Sequence, residues 1–458
     1  MNDRPLSLWH DTLPSAEHIA RPRLDIDLDT DVAIVGGGYT GLWTAYYLRK
    51  LKPDLSVTVL DANIAGFGAS GRNGGWATAE LAMGLDKMTA LHGADKSKAM
   101  FRAMFDTIDE MQTVLTAELI NCDFTKGGSL NAASHLVHIE RLTAQRDAWR
   151  RHGFDENDIR WLNKSEVESR VNANGLLGAN FHPHCAAIHP AKLVRGLAHA
   201  VERHGATIYE NSPVKKILPH QVELDYATVR ARFVIRATEG FTQSLHSHRR
   251  DLLPLYSYMV ATEPLPDEVL RQLGWSGRET FKDARNLIIY AQITADGRIA
   301  FGGRGAPYHF GSAVKPEFDR DNTVHEKIVK SMHDLFPMVR DAKITHRWGG
   351  PLGVPRNWHS SVNFDPETGL ASAGGYVGDG VAASNLAGRC LAHLIIGDGH
   401  PLTKLAWVQH RSRRWEVEPF RYIGVNGLLK LSDQMDKHER RTGKPDRIRK
   451  KILDFWVG

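Results

Sequence analysis

Three cysteines in 458 residues, Cys122, Cys185 and Cys390, are too few and too scattered for a disulfide framework. Long apolar runs are missing too. No window reaches the ~18 uninterrupted apolar residues of a membrane span. Residues 32–48 come closest, but four glycines divide them. The opening MNDRPLSLWHDTLP has no basic stretch followed by an apolar one, so no signal peptide is expected. With so little cysteine, the expected compartment is the reducing cytoplasm. Repeats and low-complexity segments are absent. Net charge is scarce outside one place: residues 437–451 hold eight Lys or Arg against Glu439 and Asp446, a local +6 beside +5 for the whole chain. Such a run suits anionic lipid or nucleic acid in principle. It has none of the interleaved aromatics of a strand-binding groove, so the plain reading is a solvated helix or tail and no nucleic-acid partner is expected.

What is there is an ordinary globular composition, 42 % hydrophobic and 24 % charged, and room for two or three domains at ~150 residues each. The most informative stretch runs from Val32 to Gly75. VAIV reads as a strand, GGGYTG as a tight turn, and the residues from Tyr39 to about Lys50 as a helix. A second strand at 57–60 ends in Asp61, twenty residues after Gly41. Gly36, Gly38 and Gly41 thus form G-x-G-x-x-G between a strand and a helix, with an acid at the distance needed to reach a ribose. The turn lets the backbone approach a pyrophosphate, and the helix N-terminus favours its charge.

Further features choose between dinucleotides. GFGASGRNGG, residues 66–75, supplies small residues and backbone amides suited to a flavin tail and ring edge. At 373–391, AGGYVGDGVAASNLAGRCL repeats the pattern of glycine turn and helix more than 300 residues later. Folded onto the first turn, its helix N-terminus would face the electron-accepting edge of a flavin. Between them, residues 87–119 and 134–152 have helical spacing, and Asn163 or Ser165 is a candidate N-cap. Residues 181–190, FHPHCAAIHP, gather His182, His184, Cys185 and His189. They could form a metal site or a loop entering a helix, and the loop fits better because two prolines break the segment. Residues 256–262, 286–293 and 298–302 alternate like antiparallel strands, with an Asp296-Gly297 hairpin turn.

The motifs GGGYTG, GFGASGRNGG, HPAKLVRGLA, ATEG and GGYVGDGVAAS, in this order, resemble the D-amino-acid-oxidase-like (DAO) flavoproteins, and among them the gamma-glutamylputrescine oxidoreductase group. The resemblance covers roughly residues 9–421. It implies an α/β fold with a Rossmann-like FAD-binding domain, interleaved with an α+β substrate domain that carries a mixed or antiparallel sheet. The expected division is 1–85, 150–245 and 350–430 for FAD, 86–149 and 246–349 for substrate, and 431–458 as a basic C-terminal tail or helix. It also implies non-covalent FAD. Gly36, Gly38, Tyr39, Thr40 and Gly41 would hold the pyrophosphate, and Asp61 the ribose with Ala62 beside it; Asp61 stands where a glutamate is more usual. Gly68, Ala69, Ser70, Arg72, Asn73, Gly74 and Gly75 would line the flavin. Val214 would meet adenine, Ala237 and Thr238 would border the pyrophosphate, and Gly378, Asp379, Gly380 and Val381 would meet the pyrimidine edge. Glu239 departs from the small or amide residue of ATNG-like versions and is read as facing solvent, with a cofactor role as the alternative.

The activity implied is oxidation of a primary or secondary amine to an imine by hydride transfer to flavin N5, followed by hydrolysis. Alternatives are an amino-acid or sarcosine-type oxidase and a flavin-binding electron-transfer subunit. The partners would be a small amine and an electron acceptor, O2 or a quinone or protein carrier. Positioning a neutral amine matters more here than a dedicated base, and no catalytic base is assigned. Candidate substrate contacts are Arg304, as a carboxylate clamp or a structural ion pair, and an aromatic wall including Tyr256, Tyr258, Tyr290 and Trp348, each of which also suits the core. Oxidases of this superfamily often set a lysine over the flavin, and neither Lys282 nor any other lysine is matched to that role.

Overall fold

The computed structural model describes residues 3–303 and 305–457. Two eight-stranded sheets organise it. The first is built on β1 (Leu28–Val35), which leads through a glycine turn into α1 (Tyr39–Leu51) and back to β2 (Val57–Leu60). β1 pairs in parallel with β2 on one side and with β3 (Thr228–Arg236) on the other. The runs VAIV and VTVL are buried throughout, as expected of strands covered on both faces. Beyond β3 lie Leu370–Gly374 and Ser361–Asp365, and beyond β2 lies Thr207–Tyr209. Val214–Leu218 and Gln221–Leu224 form an antiparallel arm hung on β3.

A late element returns to this sheet. α2 (Gly380–Ile396) crosses α1, and Gly388 is where they meet. A Cβ there would lie 2.8 Å from the Trp43 carbonyl carbon and the Thr44 nitrogen. Small neighbours, Ala383 and Ala387, are buried in the same helix, and Asn385 Nδ2 donates to the Tyr47 hydroxyl at 3.1 Å. The two glycine turns and their helix N-termini therefore lie side by side at the C-terminal edge of the sheet, where open α/β sheets bind ligands.

The second sheet runs Ile344–Val354, Leu253–Thr262, Ile299–Gly303, Ile289–Ile293, Thr280–Asp283, Ser129–Ala133, Gly178–His182, Arg160–Asn163. It is antiparallel except where Thr280–Asp283 pairs with Ser129–Ala133. Two sequence expectations shift and one choice is resolved. Arg160–Asn163 and Gly178–His182 hydrogen-bond into this sheet although they fall within 150–245. The helical stretch at 87–119 is two helices, Leu85–His92 and Ala94–Ala117, split at Gly93 with φ +84°. Asn163 is the cap, in a capping box with Glu166.

The C-terminal segment is helical. α3 (Phe420–Thr442) runs unbroken through residue 431, Gly443 ends it in the left-handed region, and α4 (Arg447–Val457) follows. The Asp436 carboxylate accepts from the Asn286 and Leu287 backbone N–H groups at 2.7 and 2.9 Å, which ties α3 to the second sheet's loop. Among the described residues, no helix is long and apolar enough to cross a membrane.

Candidate active site

The first glycine turn is close to the limit of packing. A Cβ at Gly41 would sit 2.0 Å from the Gly36 carbonyl oxygen, and one at Gly36, whose φ is +113°, would sit 2.5 Å from the Ala237 carbonyl oxygen. Only glycine closes this turn against the end of β3. Ala237 and Thr238 thus border the turn. The loop at 66–75 folds over it: the Tyr39 N–H donates to Ser70 Oγ at 2.8 Å. Thr40 Oγ1 and the Tyr376 hydroxyl lie 3.0 Å apart and join the first turn to the second. Asp61 accepts from the Gly37 and Asn63 N–H groups at 2.7 and 2.8 Å. Burial pushes its carboxyl up to about 6 against the pull of those bonds. Ala62 beside it is exposed.

Two cavities follow. A narrow one of about 60 Å³ runs between the glycine turns, lined by Tyr39, Thr40, Ser70, Glu239, Gly380 and Ser384 among others. It abuts one of about 700 Å³ between the turns and the second sheet, and Ala69, Asn73, Gly378 and Val381 line both. Arg72, Gly74 and Asp379 also line the larger one. Gly68 precedes the short helix Ala69–Arg72. Gly75 lies outside both linings: its N–H donates to Asn73 Oδ1 at 2.8 Å, and Gln292 Nε2 donates to its carbonyl at 3.0 Å. Val214 packs in the apolar cluster beside Leu60 and Val222, two residues past Ser212, whose N–H donates to the Asp61 carbonyl at 2.7 Å.

Glu239 does not face solvent. With φ +39°, it turns inward, and Oε1 accepts from the Gly375 and Tyr376 N–H groups at 3.0 and 2.9 Å. It thereby ties the end of β3 to the second glycine turn. Its Oε2 is buried without a hydrogen-bond partner, and burial pushes the carboxyl up to about 7. Arg72 is similar: Nη1 donates to Asp319 at 2.6 Å and to the Gly349 carbonyl at 3.0 Å, while Nε is buried and unpaired. Two glycine turns with helix N-termini, plus two orphaned polar atoms in residues lining the cavities between them, fit a group rich in phosphate, hydroxyl and carbonyl oxygens such as FAD.

The opposite wall corrects the expected substrate contacts. Along Leu253–Thr262 the side chains alternate. Ser257 and Met259 line the larger cavity, while Tyr256 and Tyr258 fall on the other face, in the second sheet's core. The Tyr258 hydroxyl donates to the Phe318 carbonyl at 2.7 Å. Trp348 pairs with Met259 across the strands, but the N-terminal helix Leu8–Asp11 covers it. Trp9 packs edge-on at 6.2 Å, and Trp348 Nε1 donates to the Arg72 carbonyl at 2.9 Å. Arg304 lies outside the described residues. Of the expected aromatics, Tyr290 reaches the cavity, beside Trp76, with its hydroxyl 2.7 Å from Ser257 Oγ. Tyr258→Phe is expected to cost ~1 kcal/mol of stability in denaturant titration and to leave KM unchanged. Tyr290→Ala is expected to raise KM several-fold.

Lys282 and Glu80, which the sequence left unassigned, line this cavity as an ion pair. Burial opposes both charges, yet each offsets the other's cost, so Glu80 stays below and Lys282 above its ordinary range. The histidine loop is otherwise engaged: His182 and His184 bond Asp158, Cys185 bonds Thr280, and His189 caps the helix Pro190–Arg203, its Nδ1 accepting from the Lys192 N–H. His92, His359 and His410 bring ring nitrogens within 4.8 Å of one another. The last two rings stack at 4.0 Å and 16°, which keeps an ion from lying in both ring planes, and we assign no metal there.

The fold and the cavity between its turns define a dinucleotide-dependent oxidoreductase. Residues 31–394 match the family model described as FAD dependent oxidoreductase, DAO, and the chain belongs to this family. It is 30 % identical over 397 residues to gamma-glutamylputrescine oxidoreductase of Escherichia coli (strain K12), covering 84 % of this chain and 88 % of that one. It is 25 % identical to glycine oxidase of Geobacillus kaustophilus (strain HTA426) over 87 % of this chain and 98 % of that one. The crystal structure of glycine oxidase from Geobacillus kaustophilus superposes with a TM-score of 0.70 at 20 % identity, over 84 % of this chain and 99 % of that chain. The protein is an FAD-dependent enzyme.

Proposed function

We propose that the protein oxidises a primary or secondary amine of a small metabolite to an imine, which then hydrolyses. The observation that carries this reading is the cavity of about 700 Å³ between both glycine turns and a wall of Ser257, Met259 and Tyr290. Bound FAD would supply the two-electron acceptor for the hydride that leaves the amine-bearing carbon. The protein's part is to bind, orient and dry the substrate. Tyr290 and Trp76 offer aromatic faces to an amine. Asn73 and the turn at 378–381 would hold the ring edge, residues 36–41 the pyrophosphate, and Asp61 the ribose. Lys282 adds a fixed cation beside the same edge, and its paired state leaves it no proton to accept at neutral pH. The names of the relatives support the substrate class, since putrescine derivatives and glycine are amines. An amino-acid substrate is the second reading, favoured by the glycine oxidase likeness.

The experiment is anaerobic mixing of the FAD-loaded protein with a panel of amines, N-acyl diamines and amino acids, followed at ~450 nm. Rapid bleaching by amines or N-acyl diamines carries the first reading. Bleaching by amino acids alone moves the assignment to the second, and no bleaching by any of them rejects both. Repeating the reduced-protein trace with O2 or a soluble quinone identifies the acceptor.

A further inference from the structure

We infer that the C-terminal helices form a docking surface for an anionic lipid bilayer, on which the enzyme lies as a peripheral protein. α4 packs on the body through its ends and inner face: Arg356 Nη1 donates to the Trp456 carbonyl at 2.8 Å. Its outward face is apolar. Ile448, Ile452, Phe455 and Trp456 recur at helical spacing, with Ile448 77 % and Phe455 82 % exposed. The face continues onto α3. A Cβ at Gly424 would lie 3.8 Å from the Trp456 ring, next to Ile423 and one turn from Phe420, which are 64 % and 67 % exposed. Tyr422 then meets the exposed Phe310 ring at 5.8 Å. Lone exposed apolar residues are ordinary, but a contiguous set with five aromatic rings marks an interaction site.

Charge selects the occupant. Arg440, Arg441, Lys444, Arg447 and Lys451 are exposed and form no ion pair among the described residues, whereas Arg449 and Lys450 are paired with Asp446 and Asp454. An apolar stripe with Phe and Trp, bordered by unpaired Arg and Lys, is the pattern of a helix lying in the plane of a membrane interface. A second copy of the chain would bring two basic runs of +6 together, which disfavours self-association. A nucleic acid would leave the apolar rings uncovered.

The test is co-sedimentation of the full-length flavin-loaded enzyme with phosphatidylcholine vesicles, with and without phosphatidylglycerol at about a third of the lipid, in ~0.1 M salt. Anionic vesicles are expected to bind at least roughly tenfold more enzyme than neutral ones, and high salt is expected to release it. Ile448→Glu with Phe455→Glu, both at exposed positions, should abolish this binding while melting temperature, flavin content and turnover stay unchanged. Lys444→Glu with Lys451→Glu should do the same. Absence of binding to anionic vesicles overturns the proposal, as does equal binding by the variants. Light scattering is the last check: a dimer that the apolar variant dissociates assigns the face to a second copy instead.

Discussion

Lys282→Met is expected to be among the most damaging single substitutions in the cavity wall, with a cost in stability of about 3–5 kcal/mol. Lys282 and Glu80 each keep only 16 % of their side chain exposed, so removing the ammonium leaves a carboxylate buried without its counter-charge. Glu80 then has to give up its depressed pKa and take a proton. The double variant Glu80→Gln, Lys282→Met removes both charges and is expected to recover most of the lost stability, because a buried pair contributes less than breaking it costs. Turnover separates two roles for the lysine. It lines the cavity beside Gly378 and Asp379, at the N-terminal end of α2, where a cation favours negative charge developing on a ring edge. If that is its work, flavin reduction or reoxidation stays at least roughly tenfold slow in the double variant although the fold is restored. Recovery of both together makes Lys282 a structural residue only. Guanidinium titration and stopped-flow traces of the wild type, Lys282→Met and the double variant decide it. The sign with pH is fixed. Glu80 is lowered, so its contribution is present above the ordinary carboxylate value and is lost as pH falls through the folded value. Lys282 is raised, so its contribution is present below the ordinary lysine value and is lost as pH rises through the folded one. Between these limits the pair stays charged, and any rate change near neutral pH has another source.

The cofactor end of this site was legible because its chemistry is local. A phosphate turn needs glycine at fixed offsets from a strand and a helix, so Gly36, Gly41 and the turn at 378–381 can be read from the sequence itself. The packing of α2 on α1 was anticipated from a second glycine turn, and Gly388 supplies the physical reason they meet. The substrate end depends on which face of a strand looks inward, and that is set by partners far away in sequence. The alternation in residues 253–262 announces a strand but not its orientation, so Tyr258 and Ser257 were equally eligible. Trp348 failed as a contact because Trp9, more than 300 residues earlier, covers it. The lysine and its glutamate lie 202 residues apart, with no pattern to join them. Gly302 did carry a usable signal: it pairs with both Met259 and Tyr290, so a glycine in mid-strand marked the face from which a side chain is excluded.

Glu239→Ala is the second substitution with a large expected effect, and it acts on flavin retention. Glu239 Oε1 takes the N–H groups of Gly375 and Tyr376, the residues that shape the second turn just before Gly378. Alanine leaves two donors without an acceptor, at about 1–3 kcal/mol each, and frees the turn to move. FAD content after gel filtration should fall, and the dissociation constant should rise roughly 10–100-fold, a range that follows from about 1.4–2.8 kcal/mol. Glu239→Gln tells the hydrogen bonds from the charge. It keeps an acceptor for both N–H groups and cannot ionise. Burial holds the Glu239 carboxyl at about 7, above the ordinary ~4.3 of glutamate. Over that window the folded protein keeps a proton that the unfolded chain has released, so its contribution is full below the ordinary value and is lost as pH rises through about 7. Asp61, pushed up to about 6, has the same sign. The Glu239 and Asp61 contributions should therefore fall from pH 5 to pH 8, opposed over the lower part by buried histidines such as His10 and His138, which burial holds at about 3. The expected reading is the difference: the stability of the wild type relative to Glu239→Gln should fall as pH rises through about 7, while the Asp61 and histidine contributions are common to both proteins. The buried, unpaired Oε2 in the wall of the narrow cavity adds a consequence for the cofactor. A carboxylate there repels phosphate and a carboxylic acid does not, so FAD should dissociate faster at pH 8 than at pH 6 in the wild type, and with little pH dependence in the glutamine variant. Release measured by the rise in flavin fluorescence reads this directly. Equal pH dependence in the two proteins would assign the effect to Asp61 and leave Glu239 as a brace for the turn alone.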